Sequence, residues 1–294
     1  MEKSRVIKGF VYSLISAAAF ASLIILAKLG YMESLSAKEM LLWRFTIGAI
    51  AMTLFLLTKD HNLVKPTMPL LKKALITGAI FYTAQSYCFV SSAKYVQASV
   101  SELILYLYPA GVAVLAAAVF KEKLNLYKLF YIALLLTGLI FIFKNAFDKP
   151  LQIKGILCAL GAMLIYSMYL IAIQKLGKNE HPASFAYYTI LFAALCFWIM
   201  SGIPRIPQTL NGIIIITLLG IVTTVVAIGF LFAAIHQIGA ALSSVFSSME
   251  PVITIVLSMI ILKSSLNLSQ AIGAFFILTG VALANGYHLK RTDR

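Results

Sequence analysis

The sequence predicts an all-α polytopic membrane protein, with ten transmembrane helices arranged as two inverted five-helix repeats. Three observations lead to this prediction: an apolar composition, a series of apolar runs of membrane-spanning length, and an internal repeat. Of the 294 residues, 61% are hydrophobic and 12% are charged, and the mean hydropathy is +0.95. Soluble domains average about 25% charged residues. We therefore expect lipid to be the solvent of this chain.

The apolar runs are each about 20 residues long, which is the length that an α-helix needs to cross a hydrocarbon layer of about 30 Å. The predicted helices are 9–29, 38–58, 72–93, 96–120, 126–144, 154–175, 182–201, 210–234, 238–262 and 269–289. The connections between them are too short to form a soluble domain.

The net charge of +14 indicates membrane orientation rather than a nucleic-acid partner, because the basic residues lie in short gaps between apolar runs. With the N-terminus inside, the inner segments contain 15 lysine and arginine residues and the outer segments contain 8. Such a bias marks the cytoplasmic side. We expect both termini in the cytoplasm and a multi-pass protein of the plasma membrane, which is the bacterial inner membrane.

An internal repeat relates the two halves of the chain at one gap-free offset. Corresponding residues include Ala98 and Ala240, Ser101 and Ser243, Pro109 and Pro251, and Lys121 and Lys263. The predicted repeats are 1–147 and 148–294. Because each contains an odd number of helices, the two cross the membrane in opposite directions. Inverted repeats are typical of secondary transporters, whose substrate site lies near the membrane midplane where the repeats meet.

Pro109 and Pro251 lie inside predicted membrane-spanning helices. Proline lacks an N–H and crowds the carbonyl four residues earlier, so each one is expected to kink or open its helix. The freed carbonyls require partners or a watery cavity. Two broken helices at equivalent positions indicate a binding site. The alternative is a kink that serves only helix packing.

Three charged residues, Arg44, Glu102 and Glu250, fall inside predicted helices, where each costs at least about 2.5 kcal/mol at the helix centre. Arg44 and Glu102 each lie about six residues from an outer helix end, at similar depth, and Lys28 lies near the same level. We predict an ion pair between Arg44 and Glu102. It either locks two helices together or, with Lys28, forms an outer gate or an anion-attracting vestibule.

Glu250 lies about twelve residues into its predicted helix, which places it about 18 Å deep and close to the midplane. An acid there can bind a proton or a cationic group of a substrate. The alternative is a protonated carboxyl that hydrogen-bonds to a neighbouring helix. Tyr108 occupies the equivalent position in the first repeat, so this acid is present only once.

Polar and aromatic residues near these positions are candidate walls of a substrate pocket. They are Tyr82, Gln85, Tyr106, Tyr166 and Ser247. The serines have a second interpretation, because small residues permit close helix packing in membranes.

The sequence contains no G-x-x-x-x-G-K-[ST] loop, no H-E-x-x-H and no G-x-S-x-G. These motifs mark nucleotide hydrolysis, zinc proteolysis and serine hydrolysis. Cys88, Cys158 and Cys196 lie within apolar runs, as small buried hydrophobes do. We expect no enzyme activity, no cofactor and no metal site.

Distinctive segments are WRFTIGA around Arg44, YLYPAGVAVLAAAVFKEKLN, MEPVITIVLSMIIL, and the Thr-Gly pairs at 137–138 and 279–280. With them, nearly the whole chain resembles the EamA-type ten-helix transporters of the drug/metabolite transporter superfamily. The resemblance implies two inverted halves, cytoplasmic termini, a central cavity walled by both halves, and substrates such as amino acids and related metabolites. The family usually has a Gly-Glu pair after each proline helix; here Lys121-Glu122 and Lys263-Ser264 occupy those positions.

We therefore predict a secondary transporter of a small polar metabolite, an amino acid or related compound, that works by alternating access with proton coupling or exchange. One alternative is an exchanger of larger anionic or nucleotide-linked metabolites. Another is a non-transporting membrane scaffold or receptor. The expected partners are the lipid bilayer, a small-molecule substrate and a proton or counter-substrate, with no nucleic acid. We expect a monomer or a weak homodimer.

Overall fold

The computed structural model describes residues 3–92, 94–144, 152–201 and 206–292. Within these ranges the chain is helical apart from short connections, and it contains no β-strand. The helices are α1 (Lys3–Met32), α2 (Ala37–Lys59), α3 (Met68–Leu75), α4 (Thr83–Ser92), α5 (Ala98–Leu105), α6 (Tyr108–Phe120), α7 (Leu126–Ile142), α8 (Ile153–Leu176), α9 (Pro182–Ser201), α10 (Leu210–Gly220), α11 (Ala227–Ser247), α12 (Glu250–Ile261) and α13 (Leu268–Thr292). The predicted repeat boundary at 147/148 lies outside the described residues.

Seven helical stretches of the described chain are long and apolar enough to cross a membrane. Two shorter ones, α7 and α12, are also apolar. Large apolar side chains such as Ile199 and Leu126 lie on the surface, 84% and 83% exposed. Surfaces of this kind are stable in lipid, where no hydrophobic cost opposes exposure. The structure confirms an all-helical, multi-pass membrane protein.

Two of the predicted helices contain π-helical segments. The first π segment (Ile76–Tyr82) joins α3 to α4, and the second (Ile221–Val226) joins α10 to α11. A π-helix widens the turn and leaves carbonyls without their usual partners, and it is frequent at functional sites. In the second segment, hydroxyls of Thr223 and Thr224 donate to the Leu219 carbonyl at 2.7 and 3.2 Å.

Gly239 separates predicted helices 8 and 9, which run on as α11 without a loop. Its φ of 79° and ψ of 166° depart from helical values, and glycine adopts this left-handed region without the clash that a Cβ would cause. The backbone N–H of Ala240 donates to Gln174 Oε1 at 2.6 Å. This bond satisfies the first amide of the helical turn that restarts after the break.

Side-chain caps fix several helix starts. Ser36 and Glu39 form a capping box at α2, with Ser36 N–H donating to Glu39 Oε2 at 2.8 Å. At the starts of α3, α7 and α10, the side chains of Thr67, Asn125 and Thr209 each accept a hydrogen bond from the backbone N–H three residues later. Each capping side chain takes the place of water as the hydrogen-bond acceptor for an N–H that the helix leaves unpaired.

The most extensive helix contacts join elements before residue 144 to elements after residue 153. They pair α1 with α11, α2 with α9, α4 with α8, and α7 with α13. The main core therefore lies between the two halves of the chain rather than within either half, and it contains Phe45, Tyr169 and Phe246.

Helices α7 and α13 pack at backbone distance through a pair of glycines. A Cβ atom added at Gly138 would lie 2.6 Å from the Gly273 carbonyl oxygen, and one added at Gly273 would lie 2.5 Å from the Gly138 carbonyl oxygen. Small residues at such crossings allow close van der Waals contact, which drives helix association in lipid.

We predict that Gly138→Ala destabilises the protein by about 1–3 kcal/mol, the usual cost of overpacking a tight contact. The thermal unfolding midpoint in detergent measures this effect. Gly286→Ala is the matched control, because nothing lies within 4 Å of a Cβ at that position of α13. Equal midpoints for the two variants would show that the α7–α13 contact is looser than the structure has it.

Candidate functional site

The two proline helices are interrupted at equivalent points. In the first, α5 ends at Leu105 and α6 begins at Tyr108; in the second, α11 ends at Ser247 and α12 begins at Glu250. Each proline occupies the first turn of the restarted helix. Proline is favourable there, because the N–H it lacks would have had no partner in that turn.

Both helices that follow the prolines also end alike. Lys121 and Lys263 have φ values of 57° and 52°, in the left-handed region that terminates a helix. The two lysines correspond to each other at the sequence offset of the repeat, and so do the two interruptions. Both pairs therefore match in backbone conformation as well as in sequence position.

Glu250, at the start of α12, lies next to the first interruption. Its carboxyl interacts with the Tyr106 hydroxyl and electrostatically with Glu102, and to a smaller extent with Arg44. The helix N-terminus favours a negative side chain at this position. The two interruptions therefore bring two carboxyl groups and one hydroxyl together at the junction of the halves.

Four tyrosines extend from this junction into the core, and we call them the tyrosine chain: Tyr108, Tyr166, Tyr169 and Tyr82. The ring centroids of successive members are 4.9, 5.9 and 5.2 Å apart. Ring contacts of this kind each add about 0.5–1.5 kcal/mol to simple burial. The chain connects the neighbourhood of Glu250 to that of Arg44, since Tyr108 interacts with Glu250 and Tyr82 with Arg44.

Among the described residues, the Tyr169 hydroxyl has no hydrogen-bond partner, although Tyr169 is fully buried. Tyr169 lies in the tyrosine chain. Ser247, at the second interruption, is 6% exposed and lies beside the Tyr108 hydroxyl. An unpaired buried polar group costs about 1–3 kcal/mol. Such groups mark positions where a polar ligand or water completes the bonding.

Arg44 is buried on α2 and bonds to both π segments. Its Nη2 donates to the Thr223 carbonyl at 2.7 Å and to the Tyr82 hydroxyl at 3.4 Å, and its Nε donates to Thr224 Oγ1 at 3.0 Å. Its guanidinium also lies 5.1 Å from the Phe45 ring centroid. These acceptors compensate for burying the charge.

The predicted ion pair between Arg44 and Glu102 does not form among the described residues, whereas Lys73–Glu180 and Lys128–Glu122 do. Similar depth does not imply contact, because Arg44 points to the second π segment while Glu102 lies with Tyr106 on a cavity wall. Lys28 is exposed on α1. Gln85 is buried on α4 and accepts a bond from the Ser86 hydroxyl at 3.4 Å.

A first cavity of about 370 Å³ reaches this junction from one end of the molecule. Its lining residues are Ile24, Gln97, Ser99, Glu102, Tyr106, Ile142, Phe143, Pro251, Thr254, Ile255, Ser258, Ser264, Ser265, Asn267 and Gln270. Tyr106 is 5% exposed and also interacts with Glu250. The cavity wall therefore combines apolar and polar side chains, with one acid in the wall and a second acid in contact with a wall residue.

A second cavity of about 650 Å³ approaches from the opposite end. Arg5 lines it, whereas Ile24 lines the first cavity, and 19 residues of α1 separate the two positions by about 28 Å. Its wall is basic, with Lys175, Lys178 and His236 in addition to Arg5. Phe232, also in this wall, contacts Tyr169 at 6.3 Å between ring centroids. The tyrosine chain and Glu250 thus lie between the two cavities.

Comparison with known proteins places these features in a family. The model of the EamA-like transporter family matches residues 7–144 and again residues 153–286. The chain belongs to the EamA-like transporter family. A Haemophilus influenzae protein named as an uncharacterized transporter is 25% identical over 300 residues, which cover 96% of each chain. The Bacillus subtilis protein YyaM, also named an uncharacterized transporter, is 24% identical over 83% of each chain.

A solved crystal structure has the same fold, with a TM-score of 0.82 over the full length of both chains at 17% identity. The family and the names of these relatives indicate membrane transport rather than an enzyme. They give no substrate.

The sequence offers Tyr169 beside Tyr166 but does not single it out, and sequence reasoning missed Thr223 and Thr224. A Thr-Thr pair inside an apolar run is a weak signal for polar contact within the membrane, because threonine more often bonds to its own helix carbonyls. Only the approach of Arg44 from another helix distinguishes this Thr-Thr pair from threonines that bond to their own helix.

We predict that Arg44→Met increases amide hydrogen exchange in the second π segment about tenfold or more, since bonds to a charged group contribute about 1.5–3 kcal/mol. Exchange measured by mass spectrometry in detergent tests this. Arg44→Lys should restore protection only in part, because one ammonium cannot span the same three acceptors. Lys38→Met, an exposed position on the same helix, is the control. Unchanged exchange in Arg44→Met would contradict the bridging role.

Proposed function

We propose that this EamA-like protein is a secondary transporter that moves a small polar metabolite, an amino acid or related compound, by alternating access. The observation that carries the proposal is the pair of cavities that approach one polar junction from opposite ends, with the tyrosine chain and Glu250 between them. A substrate bound at that junction would reach one side or the other as the barrier on either side opens. Glu250 would carry the proton or the substrate charge that couples the movement.

We further propose ten membrane crossings in two inverted five-helix repeats. Support comes from the family model, which matches the chain twice. It also comes from the matched interruptions, the left-handed backbone conformation of Lys121 and Lys263, and the two π segments. The contacts between halves also follow this symmetry, since α1 with α11 is the counterpart of α4 with α8. Movement of one repeat against the other is the usual basis of alternating access.

In the same proposal, both termini are cytoplasmic in a bacterial inner membrane and the chain acts as a monomer or weak homodimer. The second cavity then opens to the cytoplasm, and the first cavity opens to the outside. The basic wall of the second cavity agrees with the excess of lysine and arginine expected on the cytoplasmic side.

An exchanger of larger anionic metabolites is a second candidate. The basic wall formed by Arg5, Lys175 and Lys178 in the 650 Å³ cavity favours it, because such groups attract carboxylates and phosphates. Flux of anions in preference to neutral or cationic amino acids would favour this candidate.

We predict that Lys178→Cys and Ser264→Cys react with a membrane-impermeant maleimide from opposite sides, in a background with Cys88, Cys158 and Cys196 replaced. Intact cells should label Ser264→Cys, and permeabilised cells should also label Lys178→Cys. The expectation follows from the positions of these residues in the walls of the two cavities. The reverse pattern would invert the proposed orientation, and labelling of both from outside would contradict separate openings.

Flux through purified protein in liposomes tests the transport function, with a panel of labelled amino acids and related metabolites and an imposed proton gradient. We predict that Glu250→Gln reduces gradient-driven flux about tenfold or more, which corresponds to about 1.4 kcal/mol. Glu122→Gln is the control, because Glu122 pairs with Lys128 away from both cavities. Unchanged proton dependence in Glu250→Gln would remove the coupling role. A panel with no flux at all would favour a scaffold or receptor.

A further inference from the structure

The first cavity has a carboxyl group in its wall without a described cationic partner. Glu102 is the acidic residue among the described residues that line it, and none of these 15 is lysine, arginine or histidine. Neither described ion pair involves Glu102. A carboxyl group in the wall of a membrane cavity is costly unless a cation or hydrogen-bond donor accompanies it.

A second carboxyl increases this cost. Glu250 interacts with Glu102 as a like charge, and Tyr106, which lines the cavity, hydrogen-bonds to Glu250. Two carboxyl groups in a region of low dielectric repel each other more strongly than in water. A positive group placed between them would lower the energy of both.

The aromatic and polar groups around the first cavity can also bind a positively charged nitrogen compound. The Tyr106 ring lines the cavity, and the rings of Tyr108 and Tyr166 continue behind it. Aromatic faces attract ammonium and guanidinium groups. The buried Tyr169 hydroxyl has no hydrogen-bond partner among the described residues, so it can accept a hydrogen bond from a ligand that moves inward.

Arg44, Lys144 and Lys263 do not line the cavity. The donors of Arg44 are directed to Thr223, Thr224 and Tyr82. Lys144 and Lys263 are adjacent in sequence to the lining residues Phe143 and Ser264, but both are exposed and outside the lining. Water and salt screen exposed charges, so these two lysines compensate little for the carboxyl of Glu102 in the cavity wall.

We infer that the first cavity binds the cationic nitrogen group of a small organic molecule, an ammonium or guanidinium compound, against Glu102 and the Tyr106 ring, with Glu250 as its next partner. The inference rests on the proposed transport function and specifies the substrate class. A volume of about 370 Å³ fits a metabolite rather than a larger conjugate, since small-molecule sites span about 300–1,000 Å³.

Two matched sets of probes separate charge from shape. Ethanolamine, ethylene glycol and glycolate are similar in size but carry positive, zero and negative charge. Choline and 3,3-dimethyl-1-butanol form a quaternary pair of the same kind. Thermal shift and calorimetry of the full chain in detergent measure binding. We predict that at least one cation binds about tenfold or more tightly than its neutral partner, a difference of about 1.4 kcal/mol, and that glycolate does not bind.

Variants locate the site. Glu102→Gln and Glu250→Gln keep the side-chain shape, and each should weaken binding of the cation about tenfold. Tyr106→Phe keeps the ring and should retain most of the affinity, whereas Tyr106→Leu should lose it. Glu122→Gln should bind as the original protein does. Unfolding midpoints without ligand verify that each variant is folded.

The inference would be overturned by equal affinity for charged and neutral partners, by tighter binding of glycolate, by no binding of either cation, or by binding that both glutamine variants retain. These outcomes are separate from the fate of the transport function. Flux of a neutral or anionic metabolite that persists in both variants would leave transport intact and remove the cation site. Cation binding without flux of any metabolite would leave the cation site intact and remove the transport function.

Discussion

Every polar group inside a hydrocarbon layer needs a partner within the protein, and the rest of this structure depends on that constraint. Pro109 and Pro251 interrupt two helices, and the groups near the interruptions find partners on other helices. Ser167 Oγ, for example, donates to the Tyr108 carbonyl at 3.4 Å at the first interruption. The interruptions therefore hold helices from both halves of the chain around one polar centre.

The π segments extend this arrangement. Each one lies within an otherwise continuous membrane helix, and Arg44 contacts the end of the first and the middle of the second. A buried guanidinium requires several acceptors, and a π-helical turn offers a carbonyl that a regular helix would use internally. Arg44 and the second π segment thus satisfy each other, which explains a charge at this position without an acidic partner.

The junction itself is not symmetric, although the backbone around it is. Tyr108 and Glu250 occupy equivalent positions at the start of α6 and α12. One contributes a ring to the tyrosine chain, and the other contributes a carboxyl beside Tyr106. The cavities differ in the same way, because one has an acidic wall and the other a basic wall. The two sides of the junction therefore carry different chemistry.

The sequence by itself determined that the chain is helical and apolar enough for a membrane, where the two prolines interrupt it, and the family. Hydropathy, proline geometry and the internal repeat are properties of the sequence alone, so they can be read without a fold. The tertiary structure decided that Arg44 meets Thr223, 179 residues away, and that Glu102 interacts with Glu250. In lipid, buried and exposed helix faces are equally apolar, so the sequence does not indicate which faces meet; packing between the helices decides it.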